Sequence, residues 1–253
     1  MVTRNGIIKK TELSAFSRPR INGIIAIKLI DGDQLIDAQI TEGNNDIILA
    51  TRHGFANRFN ENDARAMGRN SQGVKGISLR SGDRVVAMVV VKREGTLLAI
   101  SENGFGKRTE VSSYKLTKRG SKGVITLKTN SRNGYLISLM EVVDNDDLMI
   151  VTKDGMIIRQ AVEKIKVIGR NTQGVKLIEL NSGDKVYDIT RIASENVNGL
   201  GANGQEEDQE TEEEDKDKEI KPLDFEEEDH TDHVQLDEEK TEEEDNPEIE
   251  FDD

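Results

Sequence analysis

Cysteine and tryptophan are absent from this chain of 253 residues, proline occurs three times, and aromatic residues make up only 4%. Without cysteine there is no disulfide framework and no thiolate metal site, a composition that fits a reducing compartment. So few aromatics leave no stacking platform for single-stranded nucleic acid. No uninterrupted apolar run approaches the ~20 residues of a membrane helix, and the N-terminus lacks the pattern of a secretory signal. A soluble, cytoplasmic protein is the expectation. No Ser-His-Asp arrangement, Gly-Lys-Thr phosphate loop or zinc spacing appears, so no catalytic or metal-ligating residue is assigned. His230 and His233 stand at a spacing that could hold a metal, but a solvated polyanion is the simpler account of their surroundings.

What is present is charge, and it is segregated. The formal net charge of −14 hides two parts. Residues 205–253 hold 27 Asp and Glu against 4 Lys, which leaves residues 1–204 with 31 Lys and Arg against 22 Asp and Glu, a net of +9. A basic body with an acidic tail points to a nucleic-acid partner and to a tail that competes with it. Asn196 to Gly204 is rich in glycine and asparagine and has the composition of a flexible linker. The tail has too few apolar residues to offset its ordering entropy, so disorder is expected there.

The body is organised around an octapeptide. Gly68-Arg69-Asn70-Ser71-Gln72-Gly73-Val74-Lys75 returns as Gly169-Arg170-Asn171-Thr172-Gln173-Gly174-Val175-Lys176, with one hydroxyl residue exchanged for another. A looser copy lies at Arg119-Gly120-Ser121-Lys122-Gly123-Val124 and a degenerate one at Arg20-Ile21-Asn22-Gly23-Ile24. The closing glycines are spaced by 50, 50 and 51 residues, the signature of a repeat architecture. A second landmark precedes each copy: Thr3-Arg4-Asn5-Gly6, Thr51-Arg52-His53-Gly54, Ser101-Glu102-Asn103-Gly104 and Thr152-Lys153-Asp154-Gly155. With apolar runs on both sides, each predicts a β-hairpin. Past the motif glycine, apolar residues alternate as Ile24, Ile27, Leu29 and their counterparts, predicting a half-buried strand. Gly32-Asp33, Gly82-Asp83 and Gly183-Asp184 then predict turns, and one more strand closes each unit. Four strands in each of about four repeats predict an all-β fold of propeller-like blades over residues 1–195. No amphipathic helix long enough for a parallel βαβ array is found.

Cations recur at equivalent places. Four residues after each hairpin glycine stand Lys10, Arg58, Arg108 and Arg159; two before it stand Arg4, Arg52 and Lys153, with Glu102 as the exception. The motif copies add Arg20, Arg69, Lys75, Lys118, Arg119, Lys122, Arg170 and Lys176. One cation per repeat at a fixed place would form a track for the phosphates of a bent duplex. The bland alternatives are that the motif glycines merely permit close strand packing and that the column after the hairpin pairs with Glu12, Asp63 or Glu110. There is no recognition helix, so binding is expected to be tolerant of sequence.

These stretches, together with Ile7-Ile8-Lys9-Lys10-Thr11, Ile24-Ile25-Ala26-Ile27 and Ala66-Met67, make residues 1–195 resemble the C-terminal domain of the DNA gyrase A subunit. The resemblance implies a β-pinwheel that binds and bends duplex DNA around its rim, supports ATP-dependent negative supercoiling, and is modulated by its acidic tail. It implies gyrase A and gyrase B as partners in an A2B2 assembly, ATP and Mg on other domains, no cofactor in this chain, and a nucleoid-associated location. The family usually has six blades where four repeats stand here. Its basic signature box, of the type Gln-Arg-Arg-Gly-Gly-Lys-Gly, has its nearest relative in Lys118-Arg119-Gly120-Ser121-Lys122-Gly123. Tyr114, Tyr135 and Tyr187 match no catalytic-tyrosine context, so no catalytic centre is expected. The alternatives are the equivalent domain of topoisomerase IV, and a propeller that binds a protein partner.

Overall fold

The computed structural model describes residues 1–193; the expected linker and acidic tail, including His230 and His233, lie outside the described residues. Among the described residues the protein is all-β, with four antiparallel sheets and four short 3-10 turns. No helix there is long and apolar enough to cross a membrane.

Each hairpin forms where the sequence predicts it. β1 (Val2–Thr3) and β2 (Ile7–Ile8), β4 (Asp46–Thr51) and β5 (Phe55–Asn60), β8 (Thr96–Ser101) and β9 (Phe105–Glu110), and β12 (Asp147–Thr152) and β13 (Ile157–Ala161) are the four pairs. The glycine N–H of the turn donates to the carbonyl of Thr3, Thr51, Ser101 or Thr152. The threonine hydroxyls also accept from the backbone of Ile7, Phe55 and Met156, and the Ser101 hydroxyl donates to the Phe105 carbonyl, which explains the hydroxyl residue that opens each landmark. The aspartates of the three Gly-Asp turns hold the hairpins from the other side. Asp33, Asp83 and Asp184 accept from the backbone of Asn5, His53 and Asp154, some 30 residues earlier.

The last strand of each repeat adds to the hairpin's first strand. β3 (Leu35–Asp37) pairs β1, β7 (Val85–Val91) pairs β4, β11 (Leu136–Val142) pairs β8, and β15 (Val186–Ile192) pairs β12. These four strands also contact one another between sheets, so they form the inner layer around which the blades are arranged.

The fourth strand of a blade comes from elsewhere. β6 (Val74–Lys75) of the second repeat pairs β2 of the first, β10 (Val124–Ile125) of the third pairs β5 of the second, and β14 (Val175–Lys176) of the fourth pairs β9 of the third. The alternating segment past the motif glycine is therefore a two-residue outer strand exchanged to the preceding blade. It does not complete its own repeat, as the arithmetic of four strands per repeat had implied. The fourth sheet has three described strands, in the order β13-β12-β15.

Packing between blades explains why the hairpin strands read as continuous apolar runs. Ile47 and Leu49 join Val2, Ile8 and Ile77 in one core, whereas Ile48 and Ala50 join Leu97, Ala99 and Leu127 in the next. Leu98 and Ile100 face a third core with Leu148, Ile150 and Ile178. Strand residues alternate between faces, so a blade sandwiched between two others is apolar on both.

Candidate nucleic-acid interface

The exchanged strands place the motif copies at the outer edge of the sheets, opposite the inner layer. Lys75, Lys122 and Lys176 are exposed there, as is Lys118; Lys118 pairs with Asp63 at 3.0 Å and Lys176 with Glu179 at 2.9 Å, while Arg20 is exposed on the first copy, which adds no strand to a sheet among the described residues. Asp63 is thus taken by a motif lysine, not by the column after the hairpin. Arg80, which sequence reasoning passed over, stacks its guanidinium on Phe55 at 3.2 Å and donates to the Lys122 carbonyl at 3.0 Å.

The motif arginines are half-buried and play a shared role. Arg69 donates to the Ile25 carbonyl at 3.4 Å, Arg119 to the Lys75 carbonyl at 3.0 Å, and Arg170 to the Ile125 carbonyl at 2.9 Å. Each acceptor lies two residues past the motif glycine of the preceding repeat. The arginines therefore buckle each motif loop to the outer strand before it. Inside the loop the exchanged hydroxyl residue closes the turn, with Ser71 donating to Gly68 O and Thr172 to Gly169 O.

A further cationic group stands beside the post-hairpin column in the sequence but faces the other side of the strand. Lys9 and Lys107, each just before a cation of the post-hairpin column, are buried. Lys9 Nζ donates to the carbonyls of Ala26, at 2.7 Å, and Arg69. Lys107 Nζ donates to Gly169 O at 2.8 Å, to Thr172 Oγ1 at 2.9 Å and to Arg170 O. Asn57 takes the equivalent place in the second blade and donates to Gly76 O at 3.1 Å. The signal was a polar residue three after each of the first three hairpin glycines, on the opposite strand face from the column beside it. Burial, reinforced by Arg170, lowers the Lys107 pKa to about 8. A base whose folded pKa lies below the ordinary lysine value of 10.5 binds fewer protons in the folded chain across that interval. Stability therefore rises with pH from about 8 towards 10.5. Thermal unfolding of the protein against the Lys107→Met variant should show this rise in the parent and a flatter profile in the variant.

The two other basic columns do not join the outer edge. Lys10 bonds Asn62 and, at 3.5 Å, Glu61 of the next repeat's 3-10 turn. Arg58 pairs with Asp46 and donates to the carbonyls of Val111 and Tyr114; Arg108 is 5% exposed, donates to Ile165 O and pairs with Asp144. Lys10, Arg58 and Arg108 share one geometry: each reaches across to the next blade, where burial rewards bonding to a carboxylate or a carbonyl, and Arg58 also keeps Asp46 of its own hairpin. Glu12 and Glu110 are not their partners in any ion pair among the described residues. Arg159, in the fourth blade, is exposed and pairs with Asp147 at 2.6 Å.

Arg4, Arg52 and Lys153 gather instead at an opening of about 500 Å³ lined by all four repeats, at one end of the inner strands. Arg84 and Lys185 join them there, and Lys185 pairs with Glu102, the exception in the column, at 3.1 Å. Arg52 lies over the Tyr135 ring at 3.6 Å. Desolvation, with Arg4 and Arg52 alongside, lowers the pKa of Arg84. This places the cations two before the hairpin glycine at the axis, away from a track on the outer edge.

Comparison with known proteins places this architecture. The family described as the DNA gyrase C-terminal domain, a β-propeller, matches residues 1–42, 45–92, 95–142 and 146–192, one match per repeat. The DNA gyrase A protein of Halalkalibacterium halodurans is 57% identical over 194 residues, covering 77% of this chain and 23% of that protein. The chain thus spans about a quarter of such relatives. A solved DNA gyrase A C-terminal domain superposes with a TM-score of 0.69 at 30% identity, covering 76% of this chain and 64% of that one. The C-terminal domain of a DNA topoisomerase IV superposes with a TM-score of 0.72 at 26% identity, covering 76% and 60%.

Proposed function

The chain belongs to the family of DNA gyrase C-terminal domains, and from that premise we propose that it binds duplex DNA along its outer edge and bends the duplex around the blades. The observation that carries this reading is the strand exchange. It delivers the same motif, with Arg69 and Lys75, Arg119 and Lys122, or Arg170 and Lys176, to the outer edge once per blade. A bent duplex presents phosphates at a matching repeat, and each contact releases counterions. The proposed contacts are Arg20, Arg69, Lys75, Lys118, Arg119, Lys122, Arg170 and Lys176. With phosphate contacts and no base readout, preference follows DNA deformability; bending a site of 20–30 base pairs costs about 1–6 kcal/mol, which the contacts offset.

In the assembled enzyme the bent duplex would bias strand passage towards negative supercoiling, with the remainder of gyrase A and gyrase B supplying cleavage and ATP hydrolysis with Mg in the cytoplasm. The acidic tail would compete with DNA for the basic body. The likeness to a topoisomerase IV domain supports a second reading, in which the same edge grips DNA without chiral wrapping. Ligating nicked plasmid in the protein's presence tests these readings. A shift in linking number supports wrapping; unshifted DNA with retained binding supports the second reading; loss of both returns the chain to a protein-binding scaffold. Residues 1–204 should bind duplex more tightly than the full chain, most clearly at low salt, in a titration followed by fluorescence anisotropy.

A further inference from the structure

Each exchange joint, where a motif strand adds to the preceding blade, has a second point of attachment. Ala66, Leu116 and Val167 bridge in parallel to Lys10, Arg58 and Arg108, further along the receiving strands than the motif-strand pairings at Ile7, Phe55 and Phe105. The same main-chain bond fixes all three: Met67 N donates to Lys10 O at 2.8 Å, Thr117 N to Arg58 O at 2.9 Å and Ile168 N to Arg108 O at 2.9 Å. The residue before each bridge is a cation, Arg65, Lys115 or Lys166, and it stands at the same spacing ahead of Arg69, Arg119 or Arg170. All three are exposed. None has a side-chain hydrogen bond or an ion pair among the described residues, and the nearby Asp63 is taken by Lys118. A cation that supports the fold shows its partner, as Arg58 and Arg108 do at the same bridges. An exposed cation without one, repeated at a fixed backbone position in successive blades, suits a ligand of repeating negative charge.

The hairpin end of the same edge carries its own row. Lys75 faces Ile7 and Lys176 faces Phe105; at Phe55, where Ile125 takes the pairing position, the Arg80 guanidinium lies over the ring at 3.2 Å. Along the receiving strand the anchor points of the two rows are about 10 Å apart at the usual rise per residue. In the first joint Arg119 ties them together, its Nε donating to Asp63 O at 2.8 Å, just ahead of Arg65, and its Nη1 to Lys75 O at 3.0 Å. Neighbouring blades stack face to face through shared cores, so the path from blade to blade runs across the strands. A displacement along a strand therefore lies across that path, and a duplex following the edge meets one row on each side of its axis. An interval of about 10 Å falls between the minor-groove and major-groove widths of about 6 and 12 Å. The two backbones that flank a groove belong to different strands.

We propose that Arg65, Lys115 and Lys166 form a second row of phosphate contacts, which holds one strand of a bound duplex while the row of Lys75, Arg80 and Lys176 holds the other. The inference rests on the reading that duplex DNA lies along the outer edge, and adds which strand each row contacts. A single row leaves the duplex free to turn about its own axis. Two rows on two strands fix which groove faces the protein at each blade, so the bend has a set direction and its cost depends on how readily that groove deforms. The contacts remain with phosphates, and binding stays tolerant of sequence.

The test compares the full chain with a variant carrying Arg65→Ala, Lys115→Ala and Lys166→Ala, in a salt series followed by fluorescence anisotropy. Two duplexes of one sequence are used, one ordinary and one with uncharged methylphosphonate linkages throughout one strand. On the ordinary duplex the variant's slope of log K against log salt should be flatter by about 2.7, about 0.9 for each lost contact. On the half-neutral duplex the two slopes should coincide, because only one charged strand remains and one row suffices to hold it. The substituted side chains are exposed, and circular dichroism checks that the variant is folded. Equal slopes on the ordinary duplex would remove the second row from the interface. A difference that persists on the half-neutral duplex would place both rows on one strand, and either result overturns the proposal. A parent chain that fails to bind the ordinary duplex at all overturns the outer-edge reading itself, and this inference with it.

Discussion

Replacing Lys75, Lys122 and Lys176 together by alanine should weaken duplex binding by about two orders of magnitude at about 0.1 M salt, equally on unrelated sequences. That magnitude follows from counterion release. Each phosphate contact contributes about 0.9 to the slope of log K against log salt, so three lost contacts flatten it by about 2.7. These lysines are the right probes because they are exposed and outside the cores. Lys75 and Lys122 carry no ion pair among the described residues, and Lys176 has a surface pair with Glu179. Surface pairs of that kind contribute about 0–1 kcal/mol, so the folded state should be nearly unchanged. Alanine at Arg69, Arg119 or Arg170 is a poorer probe, since each also removes a hydrogen bond to the preceding outer strand. A salt series by fluorescence anisotropy on two duplexes decides the matter. An unchanged slope would remove these lysines from the interface, and a loss confined to one duplex would contradict phosphate contact.

A large stability effect is expected at a motif glycine inside an exchange joint. Gly123→Ala places a methyl group 2.5 Å from the Ala56 carbonyl oxygen and 2.8 Å from its carbon, both backbone atoms of β5. It also forces alanine to φ +68°, which alone costs about 1–2 kcal/mol. The backbone must move, and the short β10 pairing at Val124 and Ile125 is lost with it. A loss of about 3 kcal/mol or more is expected, a fall in Tm of about 10 °C for a folded body of this size. Gly23→Ala is the internal control, because it has the same sign of φ and open space, and should cost only the conformational strain of about 1–2 kcal/mol. Thermal unfolding followed by circular dichroism compares the two. Equal losses would mean that the joint contributes little to holding neighbouring blades together.

Much of the fold was legible because its rules are local. Thr/Ser-x-x-Gly between apolar runs specifies a hairpin through hydrogen bonds within five residues. Repetition every 50 residues or so specifies an array, since a unit that recurs must bury the same faces against its neighbours. The pairing of Arg58 and Arg108 with the next blade was not legible. A cation on a strand has the same sequence signature whether its partner is phosphate, carboxylate or a carbonyl.

The sequence by itself therefore determined the all-β class, the repeat, the hairpins and the segregation of charge, all of which depend on neighbours along the chain. Only the tertiary structure decided which blade receives each motif strand and which cations face outward. It also decided that Lys9 and Lys107 clasp the motif loops while Arg4, Arg52 and Lys153 gather at the axis. Those outcomes depend on contacts between residues tens of positions apart. There the cost of burying a charge is settled by whatever carbonyl or carboxylate the neighbouring blade presents.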